Sequence, residues 1–241
     1  MKVVAVIPAR LASTRLPRKM LREIAGEPLV AWVYRSVERC RSLTEIVVAT
    51  DSEEILEACR QRGIPARMTS SAHRSGTERA HEISGLIEAD VYLNIQGDEP
   101  LTRPEHIESL LEVMRRPGVE VGTVKTRCCD ADINNPGAVK VVTDISGRAL
   151  YFSRATIPYD RDGTHPIYYK HLGLYAHTKK ALDRFVRWPE SSLERSEKLE
   201  QLRFLENGVP IYVGETPYDT VGVDTEEDLR RVEEILRARG Q

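Results

Sequence analysis

The chain has 241 residues, and its 35 Lys and Arg against 37 Asp and Glu give a formal net charge of −2 at pH 7. This near-neutral balance lacks the basic field of a nucleic-acid-binding domain, so we expect no nucleic-acid partner. No apolar run reaches the roughly 18–20 residues of a membrane span, so we expect no membrane partner. The first residues lack the features of a signal peptide, which predicts a cytoplasmic protein.

Strand-like and helix-like segments alternate along the first half of the chain. The continuous apolar run at 2–8 predicts a strand buried on both faces, and 28–40 has helical spacing of apolar residues. The segments predicted next are, in order, a strand at 44–50, a helix to about 61 capped by Asp51 or Ser52, a strand near 65–69, a helix at about 76–87, a strand at 90–96, a helix from Pro104 to about 115 and a strand at 119–126. Alternation of this kind predicts an α/β fold with a Rossmann-like, mostly parallel sheet flanked by helices.

The pattern loosens after about residue 127. Strand-like segments at 138–144, 149–154 and 167–178 are separated by turn sequences such as NNPG and DISGR. Helices are then predicted at about 178–187, 193–207 and 225–239, the last of them capped by Asp224 or Thr225. We interpret 1–241 as a single domain with an inserted, partly antiparallel lobe at about 145–190.

A basic loop, IPARLASTRLPRKM at 7–20, follows the first predicted strand directly. Ligands of parallel α/β sheets bind at the carboxyl ends of the strands, and Arg and Lys there favour a polyphosphate. The GxxxxGK[ST] and GxGxxG patterns are absent, which argues against a P-loop NTPase and a dinucleotide-binding site. A solvated basic loop is the alternative interpretation.

Two aspartates follow short apolar stretches far apart in the chain. Asp98 lies in IQGDEP after the strand at 90–96, and Asp224 lies in VGVDTEEDL. Carboxylates at a sheet edge are ligands suited to Mg²⁺, which also keeps waters and substrate phosphates as partners. The alternatives are a turn-forming Asp98 and a helix-capping Asp224, and composition alone does not decide whether the two residues meet.

These segments and others together resemble the 3-deoxy-manno-octulosonate cytidylyltransferase (CMP-Kdo synthetase) family. The matching pieces, in family order, are IPARLASTRLPRKM, HRSGTER, NIQGDEP, SRATIPYDRD, HLGLY, LEQLR and VGVDTEEDL. The resemblance implies a nucleotidyltransferase that converts CTP and Kdo to CMP-Kdo and pyrophosphate with Mg²⁺, for lipopolysaccharide biosynthesis. It also implies a homodimer built through the inserted lobe, which would bind the sugar as well.

The resemblance carries roles onto individual residues of this chain. It implies catalytic roles for Arg10, Lys19 and Asp98, and Mg²⁺ ligation by Asp98 and Asp224. The residues implied for CTP are Ala9, Arg10, Arg15, Lys19, Met68, Arg74, Ser75, Gly76, Gln96 and Asp98. The residues implied for the sugar acid are Gln96, Arg154, His171, Tyr175, Glu200 and Gln201. Glu200 and Gln201 are expected as neighbours on one predicted helix, and no general base is assigned.

Three alternatives remain at this stage. A cytidylyltransferase for another sugar acid, such as a sialate, would share the chemistry and differ in the pocket around 154–201. A catalytically silent nucleotide-binding subunit would share the fold. An NAD-dependent dehydrogenase is disfavoured by the missing glycine fingerprint.

Overall fold

The computed structural model describes residues 1–13 and 15–238. Its strands are β1 (Val3–Ala9), β2 (Glu23–Ile24), β3 (Glu27–Pro28), β4 (Glu45–Thr50), β5 (Ala66–Met68), β6 (Val91–Asn94), β7 (Val121–Arg127), β8 (Lys140–Thr143), β9 (Ala149–Ser153), β10 (Tyr169–His177) and β11 (Tyr212–Glu215). Its helices are α1 (Leu29–Glu38), α2 (Glu53–Arg60), α3 (Gly76–Ser84), α4 (Pro104–Met114), α5 (Asp130–Ile133), α6 (Lys179–Phe185), α7 (Ser192–Glu197), α8 (Leu202–Glu206) and α9 (Glu226–Ala238). Residue 239, where the sequence predicts the end of the last helix, lies outside the described residues.

The chain divides into two compact units. The first comprises Met1–Pro104 and Thr220–Gln241, and the second comprises Glu105–Asp219. In the first unit the strands β5, β4, β1 and β6 lie side by side in that order, and all their pairings are parallel. Val3–Ile7 and Ala9 of β1 are almost fully buried, as a parallel strand covered on both faces requires. The predicted α/β class and mostly parallel sheet are confirmed.

The helices of the first unit follow the signals in the sequence. α1 buries an apolar stripe that includes Leu29, Val33 and Val37, as the 3.6-residue period predicts. α2 begins after Ser52, whose hydroxyl accepts a hydrogen bond from the Ile55 amide, so the predicted cap is confirmed. The small β2–β3 hairpin and a 3₁₀ turn at Lys19–Leu21 were not predicted, because segments this short carry no periodic signal.

The second unit is organised around β7. This strand pairs in parallel with β11 and antiparallel with β10, while β8 pairs antiparallel with β10 and with β9. The predicted lobe at about 145–190 lies inside this unit. Its apolar core is formed by Val121, Val141, Ala149, Phe152, Ala181, Phe185, Leu199, Leu202, Phe204, Val209, Ile211 and Val213.

One helix prediction in this unit is wrong. The segment at 193–207 is two helices, α7 and α8, because Lys198 adopts a left-handed backbone with φ 54° and ends α7. Glu200 and Gln201 therefore lie in the connection between the helices and not on a helical face. A left-handed lysine is uncommon, and the sequence contains no glycine or proline there to indicate the break.

Gly97 permits a close approach between two loops of the first unit. A Cβ atom at this position would lie 2.4 Å from the Pro8 carbonyl oxygen and 3.1 Å from the Met20 sulfur. Only glycine allows the turn after β6 to pack against the end of β1 at this distance. Gly97 thereby sets the position of the next residue, Asp98.

Replacing Gly97 with alanine should destabilise the protein, since the contact with the Pro8 carbonyl is to backbone that has to move. We expect Gly97→Ala to lower the free energy of unfolding by about 1–3 kcal/mol in urea denaturation. Gly222→Ala is the matched control, because a Cβ there meets nothing within 4 Å. Equal stability of the two variants would contradict the assigned contact.

Candidate active site

A buried lysine joins two distant aspartates in the first unit. Lys19 Nζ lies 2.5 Å from Asp98 Oδ2 and 3.0 Å from Asp224 Oδ1. The lysine side chain is 10% exposed, and Asp224 also receives Arg15 Nη2 at 3.0 Å. The two aspartates therefore converge on one cation, which the sequence could only suggest.

The local structure explains how the two carboxylates reach this point. Asp98 follows β6 in the turn that Gly97 allows, at the carboxyl edge of the parallel sheet. The Val223 amide donates to the Asp98 carbonyl oxygen at 2.8 Å, which ties the segment before Asp224 to the Asp98 turn. The hydroxyl of Thr225, and not the carboxylate of Asp224, accepts the bond from the Asp228 amide at the start of α9. The capping alternative for Asp224 is thus removed.

The charge state of Lys19 follows from its surroundings. Burial lowers the pKa of its ammonium, but the charge and hydrogen bond of Asp98, followed by those of Asp224, outweigh that effect. The net result is a pKa above the ordinary value of 10.5, so Lys19 is a fixed cation at neutral pH. A buried cation of this kind is retained only where its partners stay ionised.

An open cleft of about 210 Å³ surrounds this ion pair. It is lined by Pro8, Arg10, Ala12, Ser13, Arg15, Lys19, Met20, His73, Arg74, Ser75, Gly76, Arg79, Gln96, Gly97, Asp98 and Asp224. Most of the residues expected for the nucleotide are therefore brought together in one place. Ala9, which is buried in β1, and Met68, which ends β5, do not line the cleft in the described part of the chain.

The start of α3 forms one wall of the cleft. The Ser75 hydroxyl accepts from the Glu78 amide at 3.3 Å and caps the helix, and Glu78 Oε2 accepts from the Arg74 amide at 2.6 Å. A Cβ at Gly76 would come within 2.8 Å of the buried amide of Asn94, so the helix can start this close to β6 only with glycine there. The resulting fixed loop presents the polar groups of residues 74–76 to the cleft.

Among the cleft residues that the sequence analysis did not assign to the site, two have ionisable side chains, His73 and Arg79. Arg79 is almost fully buried, forms an ion pair with Asp51 and donates to Thr69 Oγ1 at 2.6 Å. His73 Nε2 lies 2.5 Å from Glu82 Oε2. Both belong to the HRSGTER segment at 73–79, and their place in this segment was the available signal.

The remaining predicted site residues all belong to the second unit. Arg154 donates from Nε to the Glu197 carbonyl at 2.8 Å and from Nη1 to the Pro136 carbonyl at 3.0 Å. Its amide donates to the Glu197 carboxylate at 2.9 Å. Two of the guanidinium nitrogens thus bond to backbone carbonyls, which fixes where this positive charge lies.

His171 and Tyr175 project from β10 on the same face. Their ring centroids are 5.3 Å apart, and the rings of His171 and Phe152 form a T-shaped contact with centroids 4.9 Å apart. Complete burial lowers the pKa of the His171 imidazole to about 3. The ring is therefore neutral at physiological pH and is too weak a base to take a proton from a sugar hydroxyl.

The turn that holds Glu200 and Gln201 contributes buried polar groups. Gln201 is almost fully buried, and among the described residues its Nε2 has no hydrogen-bond partner. An unpaired buried donor costs about 1–3 kcal/mol, so such a group is expected to meet a ligand or water. A ligand hydroxyl is a suitable acceptor.

A cationic cleft for a polyphosphate, with paired carboxylates at the carboxyl edge of a parallel sheet, is the arrangement of a nucleotidyltransferase. A cytidylyltransferase family model matches residues 4–213. The 3-deoxy-manno-octulosonate cytidylyltransferase of Koribacter versatilis is 64% identical over 99% of this chain and 91% of its own, and that of Acidobacterium capsulatum is 56% identical over 99% and 98%. This chain belongs to the 3-deoxy-manno-octulosonate cytidylyltransferase family.

Solved structures agree with this assignment. A CMP:2-keto-3-deoxy-manno-octonic acid synthetase complexed with CTP superimposes with a TM-score of 0.95 at 40% identity, covering 99% of this chain and 100% of that one. A 4-diphosphocytidyl-2C-methyl-D-erythritol synthase from Anaerococcus prevotii, at 16% identity and a TM-score of 0.66, shares the fold. Among the described residues, no helix is long and apolar enough to span a membrane.

The two buried histidines of β10 should make stability depend on pH. Burial lowers the pKa of His171 and His177 from 6.5 to about 3, so the unfolded chain binds more protons between these values. Their neutral forms stabilise the fold fully above pH 6.5, and that contribution falls as the pH drops towards 3, by about 1.4 kcal/mol per pH unit for each histidine.

Urea denaturation between pH 6.0 and 5.0 measures this slope. His177→Phe, which keeps a ring between Tyr175 and Phe204, should make the slope shallower by about 1.4 kcal/mol per pH unit. His165→Asn, at an exposed position, is the control and should leave the slope unchanged. A His177→Phe slope equal to that of the wild type would contradict the assigned role of burial.

Proposed function

We propose that the protein transfers the cytidylyl group of CTP to a hydroxyl of the sugar acid Kdo, giving CMP-Kdo and pyrophosphate for lipopolysaccharide biosynthesis. The observation that carries the proposal is the meeting of Asp98 and Asp224 at Lys19 inside a cationic cleft. The curated relatives bear the name of this activity, and the solved structure at 40% identity is a complex with CTP.

The triphosphate is assigned to the cations of the cleft. Arg10 and Arg15 are exposed residues of the cleft lining, and Lys19 lines the same cleft where it contacts the two aspartates. Displacement of pyrophosphate moves negative charge onto the leaving group. Fixed cations therefore bind the transition state more strongly than they bind the ground state. Arg10 and Lys19 are thus the proposed catalytic cations.

The cytosine is assigned to the loop before α3. Arg74, Ser75 and Gly76 line the cleft together with Gln96. Because the capped helix start fixes this backbone, its groups can discriminate the exocyclic amine and N3 acceptor of cytosine from the corresponding groups of uracil. Ala9 and Met68 remain proposed nucleotide contacts whose side chains lie away from the cleft lining.

The carboxylate pair fits a divalent cation. Oxygens of Asp98 and Asp224 already share one cation, the Lys19 ammonium, and carboxylate oxygens are the ligands that Mg²⁺ takes. No cluster of three or more His, Cys, Asp or Glu suited to a metal occurs among the described residues. Mg²⁺ is usually bound through one or two carboxylates and keeps waters and substrate phosphates as its other ligands. When bound, the metal would neutralise phosphate charge and lower the pKa of the attacking hydroxyl.

The sugar acid is assigned to residues of the second unit. Arg154 carries a guanidinium suited to the carboxylate, and His171 is a neutral hydrogen-bonding group. Tyr175, Glu200 and Gln201 supply further polar groups, of which the buried Gln201 amide is poised for a hydroxyl. The low pKa of His171 supports binding over proton abstraction.

A homodimer is proposed through the lobe at 145–190. Large apolar side chains are exposed on this segment, among them Ile145, Leu150, Tyr159 and Ile167. Exposed apolar residues concentrated in one segment favour a protein contact, and a second copy of the chain is the partner that the family resemblance implies. The substrates CTP and Kdo support a cytoplasmic location.

A pyrophosphate-release assay tests the activity. It crosses CTP, UTP, ATP and GTP with Kdo and with a sialic acid. We expect release with CTP and Kdo together and none when either is omitted. Pyrophosphate release with CTP and the sialic acid, but not with CTP and Kdo, would indicate that the substrate is a different sugar acid. Binding of CTP without pyrophosphate release under any condition would indicate a silent binding subunit.

Asp98→Asn should abolish turnover, because an amide removes the charge that holds Lys19 and that a divalent cation needs. We expect at least a hundredfold loss of kcat, or about 2.7 kcal/mol of transition-state stabilisation. Asp162→Asn, at an exposed position beside Arg161, is the matched control and should retain wild-type kcat. Near-normal pyrophosphate release by Asp98→Asn would remove the assigned role.

Arg154→Ala should weaken binding of the sugar acid far more than binding of CTP. We expect the KM for Kdo to rise about tenfold or more, since a charge-assisted hydrogen bond contributes about 1.5–3 kcal/mol. The KM for CTP should stay close to that of the wild type, and Arg161→Ala, at an exposed neighbouring position, is the control. Equal increases in both KM values would contradict the assignment.

A further inference from the structure

The strand that carries His171 contains an irregularity opposite β7. Leu172 pairs with Val124 and Tyr175 pairs with Thr123, so the register shifts by two residues, Gly173 and Leu174, between neighbouring positions of β7. Bulges of this kind re-aim side chains and are frequent next to binding sites. Here the extra residues place His171 and Tyr175 beside each other on one face.

The side chain of Thr123 contacts the backbone of this bulge. It is fully buried, and its hydroxyl oxygen lies 2.7 Å from the Leu174 carbonyl oxygen and 3.4 Å from that of Leu172. Two oxygens only 2.7 Å apart need a proton between them, and a carbonyl has none to give. The single hydroxyl proton of Thr123 therefore points to Leu174.

The same hydroxyl determines the tautomer of His171. Thr123 Oγ1 lies 2.8 Å from His171 Nε2. Since its proton is used for Leu174, the hydroxyl can only accept here, and Nε2 has to carry the hydrogen. In a neutral imidazole the other nitrogen, Nδ1, is then an acceptor.

We propose that Thr123 is a positioning residue that holds His171 as the Nε2–H tautomer, so that Nδ1 accepts a hydrogen bond from a hydroxyl of the sugar acid. The assignment of His171 to the sugar acid rests on the proposed function. The tautomer rests only on the contacts of Thr123. His171 is thus an acceptor at this position, which favours a hydroxyl over the carboxylate of the ligand.

Thr123→Val and Thr123→Ser separate the hydroxyl from the shape of the side chain. Valine keeps the volume and the branched Cβ but has no hydroxyl, whereas serine keeps the hydroxyl. Nitrogen-15 NMR of the free protein reports which ring nitrogen of His171 is protonated. The chain has six histidines, so the His171 signals are assigned by their loss in His171→Gln.

We expect the wild type and Thr123→Ser to show Nε2–H at His171, and Thr123→Val to show mixed tautomers or Nδ1–H. With CTP in excess, Thr123→Val should raise the KM for Kdo by about tenfold and leave the KM for CTP unchanged. Thr123→Ser should stay close to the wild type in both. A general loss of structure in Thr123→Val would not raise the KM for Kdo while leaving the KM for CTP unchanged.

The outcomes distinguish this inference from the proposed function. Nδ1–H at His171 in the wild type overturns the inference, even if the protein forms CMP-Kdo normally and even if Thr123→Val does not fold. An unchanged KM for Kdo in a folded Thr123→Val also overturns it. If the wild type shows Nε2–H at His171 but no Kdo-dependent turnover, the proposed function is refuted and the tautomer assignment stands. The role of His171 towards the sugar acid is then refuted together with the proposed function.

Discussion

The ion pair of Lys19 with Asp98 and Asp224 organises the first unit. It joins three segments that are 79 and 126 positions apart along the chain, and it does so at the edge of the sheet where parallel strands end. Removing either carboxylate would destabilise the protein, because the buried lysine cation would keep only one of its two aspartate partners. A divalent ion that binds the two aspartates has to compete with this ammonium.

The two units contain polar groups of contrasting character. The cleft of the first unit holds charged side chains, with Arg15 and Lys19 on Asp224 and Arg79 on Asp51. The second unit buries neutral imidazoles in an aromatic row, His171 and His177 among them. Charged groups suit a triphosphate, and neutral hydrogen-bonding groups suit the hydroxyls of a sugar, so each unit has the chemistry expected for its proposed ligand.

Much of the fold was predictable because its signals are local. The buried run at 2–8, the caps at Ser52 and Thr225 and the helix that begins at Pro104 all act within a few residues. The break at Lys198 and the two-residue bulge in β10 were not predictable, since tertiary contacts and not composition impose them. The approach of Asp98 and Asp224 is likewise a property of the topology, and motif resemblance indicated it where periodicity could not.

The discontinuous first unit has a consequence for how the protein is made. Its parallel strands lie before residue 104, but Asp224 follows the whole second unit, Glu105–Asp219, along the chain. A nascent chain on the ribosome can therefore complete all four parallel strands of that sheet and still lack one of the two anions that neutralise Lys19. Synthesis of the whole second unit therefore has to precede the pairing of Lys19 with both aspartates.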